Sequence, residues 1–308
     1  MNKFRSFRTK HFIIFSVIAV VLIWAVLFRY CVGWSYDAIF EGMNIDDRIL
    51  EGLNPIYCDG MIILIAALIL WASDRLDIFT RKGKGFVHGC KVAAFPLIAF
   101  TVAIIFFVVG MVATDPSEAA KYGYEINVTF DFASVLIILS FCFVGLAEEI
   151  TLRGITAQTL LEGFGTSRAG IWKAAIISGV CFGAIHSINL AHASAGFVIP
   201  QMVSAAGGGI FYAAIYFRSG NIWPVVIVHS LNDIMASVSI WLGGGSMGTA
   251  MDAAGSTISI FPFVWMIVEV SLAIYLLRPK KIGEVAESWP EIAAKDAETE
   301  EPTPAEEA

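Results

Sequence analysis

The sequence predicts an all-α polytopic membrane protein with about eight transmembrane helices, and three observations indicate that fold class. The chain of 308 residues is 57% hydrophobic and only 15% charged, whereas a soluble domain is usually about 45–50% apolar and about 25% charged. Apolar runs of about 20 residues, the length that crosses a bilayer, recur along most of the chain. Its basic residues are concentrated in alternate connections between those runs, as in chains that cross a membrane repeatedly.

The candidate spans are the apolar runs of spanning length. In chain order they cover residues 12–28, 58–73, 92–113, 132–152, 171–189, 196–217, 221–242 and 258–277. We expect the fourth helix to be long and to continue past Arg153 towards Gly163, because GITAQTLLEGFG is typical of a helix that ends at glycine. A long fourth helix would place Glu148 at the depth of the fifth span.

The distribution of Lys and Arg predicts the orientation. The segment MNKFRSFRTK before the first span has four basic residues, and the second connection, DRLDIFTRKGKGFVHGCK, has five. The alternate connections contain few. Because Lys and Arg remain on the cytoplasmic side, we expect an integral protein of the plasma membrane with both termini in the cytoplasm.

We expect one membrane domain over residues 1–279, followed by a disordered acidic cytoplasmic tail over 280–308. The tail contains EIAAKDAETEEPTPAEEA, which accounts for most of the acid excess behind the net charge of −7, and such composition is typical of disorder. The five cysteines lack CxxC spacing, so no disulfide framework or zinc knuckle is expected. The lipid bilayer is an expected partner, and a nucleic acid is not.

Ionisable side chains inside the apolar spans require an explanation, because each costs about 2.5–3.5 kcal/mol at the centre of a bilayer. These polar residues are Glu148, Glu149 and Arg153 in the fourth span, His186 in the fifth, His229, Asn232 and Asp233 in the seventh, and Glu269 in the eighth.

Helical spacing predicts which of these groups meet. Glu149 and Arg153 are four residues apart, so they share one face of the fourth helix and can form an ion pair. Glu148 lies roughly 100° around the helix from Glu149 and can face another partner. The same spacing of four relates Phe182 to His186 and His229 to Asp233.

The polar groups on these three helices would cost the least free energy of burial if all three faces pointed into one shared cavity within the bilayer. Buried polar groups also join helices, at about 0.6 kcal/mol each, and Glu269 and His192 fit that simpler role. His11 and His88 lie in the flanks and are expected at the surface. The combination of two imidazoles with three carboxyls favours a reactive site instead.

The chemistry that fits is hydrolysis of an amide. A carboxylate beside an imidazole can take a proton from water, and a second polar pair can stabilise the oxyanion that forms. Two histidines with carboxylates can alternatively hold Zn²⁺ with an open position for water. Ser187 and Ser230 each follow a histidine, but adjacent helical positions point apart, so serine catalysis is a weak alternative.

Three motifs occur in order on successive polar-bearing helices. EEITLR matches EExxxR, FGAIH matches FxxxH, and HSLND matches HxxxN/D. Over residues 130–240 or so, the chain therefore resembles the CPBP family of intramembrane endopeptidases, which includes CAAX proteases and Abi-type, bacteriocin-processing proteins.

The resemblance implies a role for each matched residue. Glu148 and His186 would activate the attacking water, and His229 with Asp233 would stabilise the oxyanion. Glu149 completes the implied catalytic set, and the supporting residues are Arg153, Phe182 and Asn232. The family is catalogued as metalloproteases, although a metal-free glutamate mechanism is also proposed for it. Both possibilities stay open, and the candidate zinc ligands are Glu148, His186 and His229.

Asp233 departs from the eukaryotic-type CAAX enzymes, which have Asn at this position. An ionised Asp has no hydrogen to donate to an oxyanion. Asp233 must therefore be protonated, hold His229 as a cation, or bind metal. Asn232 lies roughly 100° around the helix from Asp233.

The leading hypothesis is an intramembrane endopeptidase that cleaves a membrane-associated or lipid-modified, CAAX-like peptide. A proton-coupled membrane transporter is one alternative, because acids and histidines at mid-membrane also relay protons. A non-catalytic immunity or scaffold protein that binds a partner peptide is another. Only the enzyme requires Glu148 and His186 for peptide-bond cleavage.

Overall fold

The structure is a computed structural model that describes residues 3–121, 128–246 and 259–300, together with the single positions 248, 251 and 255. Across these residues the regular structure is helical, with no β-strand. The predicted all-α class is therefore confirmed.

Six helices are of spanning length: α1 (Phe12–Phe40), α2 (Asp47–Ala72), α3 (Ala94–Ala113), α4 (Phe132–Phe164), α5 (Arg168–Ala191) and α6 (Ala195–Ser219). They are followed by α7 (Trp223–Ala236), α8 (Phe261–Leu276), α9 (Pro279–Ser288) and α10 (Pro290–Glu300). Short helical segments cover Lys3–Lys10, Leu76–Phe79, Phe86–Val92, Pro116–Lys121 and Val238–Trp241.

The predicted count of eight spans is not confirmed. In the described part of the chain, six helices can cross a membrane, or seven if α8 and α9, which meet at a 75° bend, form one span. The seventh predicted run breaks at Ser237, where φ is −109° and ψ is 16°, so α7 has only 14 residues. A helix of that length is about 21 Å long, which is shorter than the hydrocarbon core of about 30 Å.

The long fourth helix is confirmed, because α4 is continuous from Phe132 to Phe164. Its start is capped reciprocally: the amide of Ser134 donates to Asp131 Oδ1 at 2.9 Å, and the amide of Asp131 donates to Ser134 Oγ at 3.2 Å. Its end is Gly165, at a φ of 78°. Residues Ile150–Ala157 have the wider π-helical winding, which is frequent at functional sites and follows Glu149 directly.

Close approach of α7 to α4 places the polar faces against each other. A Cβ added to Gly145 of α4 would lie 2.6 Å from Ser230 Oγ of α7. A side chain there would push the helices apart. The α5–α6 contact is equally tight, since a Cβ on Gly209 would lie 2.7 Å from the Cα of Gly179. Small residues of this kind allow membrane helices to pack closely.

The C-terminal segment is helical where a disordered tail over residues 280–308 is expected. Trp289, between α9 and α10, is fully buried, and its Nε1 donates to the carbonyl of Phe217 at 2.9 Å. Val285 and Ile292 are also buried, so an apolar stripe docks these helices on the bundle. The expectation is therefore wrong for residues 280–300, and residues 301–308 lie outside the described residues.

Candidate active site

A cavity of about 710 Å³ lies between α3, α5, α6, α7 and α8. Much of its wall is aromatic, from Phe100, Phe182, Phe197, Phe261 and Trp265. The polar side chains that line it include His186, Gln201, Tyr212, His229, Asn232, Asp233 and Glu269. An apolar cavity of this size with a few converging polar groups is typical of a ligand or substrate site.

His229 is the side chain around which the acids gather. It is 4% exposed. Its Nδ1 lies 2.8 Å from Glu149 Oε1, and its Nε2 lies 3.4 Å from Glu148 Oε2 and 3.5 Å from Asp233 Oδ2. Three carboxyl groups therefore surround one imidazole. Glu148 does not itself line the cavity, but it contacts the ring nitrogen of a residue that does.

The predicted ion pair between Glu149 and Arg153 is present. Arg153 Nε lies 3.1 Å from Glu149 Oε2, and both side chains are fully buried. A terminal nitrogen of Arg153 donates to the carbonyl of Gly209 at 3.2 Å. The guanidinium also lies 4.9 Å from the ring centre of Phe182 and 5.3 Å from that of Tyr212, where the aromatic faces attract a cation. Arg153 is thus fixed from several sides and holds Glu149 in place.

His186 reaches the cavity from the end of α5. Its Nδ1 lies 2.9 Å from the carbonyl oxygen of Phe182. Because a carbonyl only accepts, Nδ1 carries the hydrogen, and Nε2 of the neutral ring is an acceptor. The Phe182 ring contacts both imidazoles, at centroid distances of 5.1 Å to His186 and 5.5 Å to His229. The carboxyl that is expected beside His186, Glu148, is in contact with His229.

Asp233 and Asn232 both line the cavity, although helical geometry predicts that they diverge. Asn232 Nδ2 donates weakly to Asp233 Oδ1 at 3.3 Å. The other oxygen of Asp233 faces His229 Nε2. Of the roles open to Asp233, holding a protonated His229 therefore fits this arrangement.

Sequence reasoning missed two residues at the site. Asp59 of α2 is 4% exposed and lies close enough to Glu148 and Asp233 for their charges to interact. Asp59 is the second residue of the apolar run 58–73, a position that suggests the edge of the membrane. Its place inside a candidate span was the one sequence feature that could have identified it. The Tyr212 ring lies 5.2 Å from that of His229, and an aromatic residue in an apolar run gives no comparable signal.

The remaining candidates divide between the site and the surface. Glu269 lines the cavity, and its carboxyl also packs against Gly207 and Gly208 of α6. His11 and His192 are exposed, and His88 is half-buried. His192 is therefore not a core residue.

The arrangement does not fit the candidate zinc site. In residues 3–121, 128–246 and 259–300, no three His, Cys, Asp or Glu side chains form a group that could hold a metal ion. Zinc sites bring three or four such ligands within about 2.0–2.3 Å of one point, and the side chains of Glu148, His186 and His229 do not form such a group. The reaction proposed below therefore contains no step through a metal.

The helices and the buried polar cluster define an integral membrane protein with a site suited to hydrolysis. Residues 130–235 match the model of a family described as "Type II CAAX prenyl endopeptidase Rce1-like". The match covers the three motifs and confirms the resemblance to the CPBP and CAAX proteases over this segment. It supports a CAAX-type intramembrane protease. No curated protein and no solved structure matches the chain.

Proposed function

We propose that the protein is an intramembrane endopeptidase that hydrolyses a peptide bond in a membrane-associated or lipid-modified, CAAX-like peptide. The single observation that carries the proposal is the cluster of Glu148, Glu149 and Asp233 around His229, at the wall of an aromatic cavity of about 710 Å³. A cavity of that volume has room for an extended peptide segment or a lipid chain.

In the proposed reaction, Glu148 is the general base. It takes a proton from a water molecule as the water oxygen attacks the carbonyl carbon of the peptide bond. The free Nε2 of His186 is an acceptor that can orient the same water. When the C–N bond breaks, the proton held by Glu148 passes to the leaving amine nitrogen.

His229 is the proposed oxyanion-stabilising group. Its Nδ1 hydrogen is directed at Glu149 at 2.8 Å, so the ring presents Nε2 to the reacting centre. A protonated ring donates its Nε2 hydrogen to the oxyanion, and such donors are worth most in a site that excludes water. Asp233 acts through His229 by stabilising its positive charge, and Arg153 acts through Glu149.

The orientation with both termini in the cytoplasm is part of the proposal. Arg8, before α1, pairs with Glu162 at the end of α4, and Asp296 of α10 accepts from the amide of Thr166 at 2.6 Å. The two described ends of the chain therefore lie at one end of the bundle, which is also rich in Lys and Arg. Positive residues remain on the cytoplasmic side of a plasma membrane protein.

The test is cleavage of farnesylated CAAX peptides by the full-length protein in liposomes, with products identified by mass. Glu148→Gln is expected to lower the rate by about 10²–10⁴-fold, because it removes the general base. Glu118→Gln is the matched control, since Glu118 is 59% exposed and lies in the short helix Pro116–Lys121.

A parallel reaction with a metal chelator tests for metal dependence. The glutamate mechanism predicts that the chelator leaves the rate of peptide cleavage unchanged. Cleavage that survives Glu148→Gln would contradict the mechanism. Passage of peptide across sealed liposomes without any product would favour the transporter, and peptide binding without product or transport would favour the scaffold.

A further inference from the structure

The last long helix contributes a carboxyl that none of the three motifs includes. Glu269 of α8 is 5% exposed and lines the cavity. Its Oε2 is buried and has no hydrogen-bond partner among the described residues. An unpaired buried carboxyl oxygen is costly, so its retention in the wall requires a reason other than packing.

Two glycines of α6 allow the Glu269 carboxyl to pack closely against that helix. A Cβ on Gly208 would lie 3.0 Å from Glu269 Oε1, and a Cβ on Gly207 would lie 3.2 Å from Glu269 Oε2. Glycine at both positions offers the carboxyl no side-chain donor. Gly209, the next residue, accepts from Arg153, so the same turn of α6 borders both Glu269 and the His229 cluster.

The cavity wall contains no Lys or Arg among the described side chains. Two carboxyls, Asp233 and Glu269, and two imidazoles, His186 and His229, line it. Asp233 faces His229, whereas Glu269 interacts with the Trp265 side chain and, through charge, with His229. Beside it, Phe261 and Trp265 are stacked at 6.0 Å with an interplanar angle of 16°. Aromatic faces next to a carboxylate suit a cation on an apolar stem.

We propose that Glu269 is a substrate-recognition residue that binds the Lys or Arg side chain of a basic residue near the scissile bond. This inference rests on the proposed endopeptidase function and names the class of peptide it takes. The aliphatic stem of the basic residue would pack on Phe261 and Trp265 while its cation pairs with Glu269. Attraction between opposite charges is strongest where water is excluded.

The experiment measures binding separately from cleavage. Fluorescent farnesylated CAAX peptides, identical except for Lys, Met or Glu at one position within three residues of the scissile bond, the farnesylated cysteine excepted, are titrated into liposomes that contain the Glu148→Gln protein. At one such position, the Lys peptide is expected to bind about tenfold more tightly than the Met peptide, equivalent to about 1.4 kcal/mol. The Glu peptide is expected to bind more weakly than either.

Adding Glu269→Gln to Glu148→Gln removes the charge and keeps the shape of the side chain, so the preference for Lys should disappear. Glu269→Lys in the same background should reverse it in favour of the Glu peptide. This reversal cannot come from a misfolded variant, because misfolding weakens all three peptides. Glu118→Gln is the control for charge alone and should keep the preference.

Equal affinities for the three peptides, or a Lys preference that survives Glu269→Gln, would overturn the assignment. The outcomes also separate this inference from the endopeptidase proposal. If the wild-type protein prefers the Lys peptide but releases no product, the assignment of Glu269 stands and the endopeptidase proposal fails. If it cleaves all three peptides equally, the endopeptidase proposal stands and the assignment of Glu269 fails.

Discussion

Two groups of charged side chains, at different depths in the molecule, have opposite charge balance. Around His229, three carboxyls share one imidazole and the guanidinium of Arg153. Where α9 and α10 dock, three acids each pair with a cation. These contacts, termed the C-terminal clamp, are Arg218 with Glu284, Lys281 with Glu284, Lys84 with Glu287, Arg81 with Glu291, and the buried Trp289.

The difference shows which group serves stability. In the clamp, four cations face three acids. Glu287 and Glu291 are more than half exposed, so their ion pairs contribute little, and the buried Trp289 adds an attachment that does not depend on charge. Around His229 the side chains are buried, and Glu149 Oε2, Arg153 Nε and one terminal nitrogen of Arg153 lack a well-formed hydrogen bond. Such a cluster stabilises a fold poorly, which agrees with the catalytic role that we propose for it.

The largest effect is expected on breaking the buried ion pair. Arg153→Met leaves the single imidazole of His229 to compensate three buried carboxyls, and removing one partner of a buried ion pair costs about 3–5 kcal/mol of unfolding free energy. The double variant Arg153→Met with Glu149→Gln should recover more than half of that loss. It should not recover peptide cleavage, because a neutral amide at position 149 removes the negative charge towards which the Nδ1 hydrogen of His229 is directed.

Unfolding in detergent and cleavage of farnesylated peptides measure the two quantities on the same samples. If the double variant is no more stable than Arg153→Met, the charge of Glu149 is not the cause of the loss. If it cleaves peptide at the original rate, Glu149 does not orient His229.

The second effect concerns the clamp and leaves the His229 cluster intact. Trp289→Ala removes a fully buried ring that packs on Tyr216 at 5.3 Å and under the guanidinium of Arg81 at 4.0 Å. Truncation of a buried Trp costs about 3 kcal/mol or more. We expect α9 and α10 to undock, so that trypsin cleaves at Lys295 roughly tenfold faster or more while peptide cleavage persists.

Trp34→Ala is the matched control, because Trp34 is 71% exposed and its truncation leaves the clamp unchanged. Loss of peptide cleavage in Trp289→Ala at unchanged trypsin sensitivity would contradict the separation of the two regions.

The same contrast explains how far the sequence could predict the molecule. The ion pair of Glu149 with Arg153 follows from spacing within one helix, and the long α4 follows from its terminal glycine. The contact of Glu149 with His229 does not, because it depends on the rotation of α4 against α7. The approach at Gly145 sets that rotation, and its effect is visible only in three dimensions.

The clamp was missed for a different reason. Val285, Trp289 and Ile292 recur at intervals of four and three residues, which is a helical pattern. The acids at the end of the chain dominate the composition of residues 280–308, and a prediction from composition therefore does not detect this pattern. The seventh span was overestimated because hydropathy does not register the break at Ser237.

The smallest effect is a dependence of the clamp on pH and salt. Burial raises the pKa of Glu284, but hydrogen bonds from Lys281 and Arg218 and their charges outweigh it and lower the pKa from 4.5 to about 2. A carboxyl whose pKa is lower in the folded protein contributes stability above its unfolded pKa and loses it as the pH falls through its folded pKa. Attachment of α9 should therefore weaken from about pH 4.5 down to about pH 2.

The expected change is about 1 kcal/mol, because Lys281, one of the two cations paired with Glu284, is 39% exposed to solvent. Cleavage of α9 and α10 by pepsin, a protease active in acid, measured at the acid pH itself, reports the pH dependence. Trypsin sensitivity at Lys295, at about 0.1 M and about 1 M salt, reports the salt dependence. Glu284→Gln should abolish the acid step, whereas Glu118→Gln should leave it. Added salt should loosen the clamp, since screening reaches exposed pairs, and should leave the buried pair of Glu149 with Arg153 unaffected. Equal sensitivity of both regions to salt would show that solvent reaches the His229 cluster and would remove the contrast on which the other predictions depend.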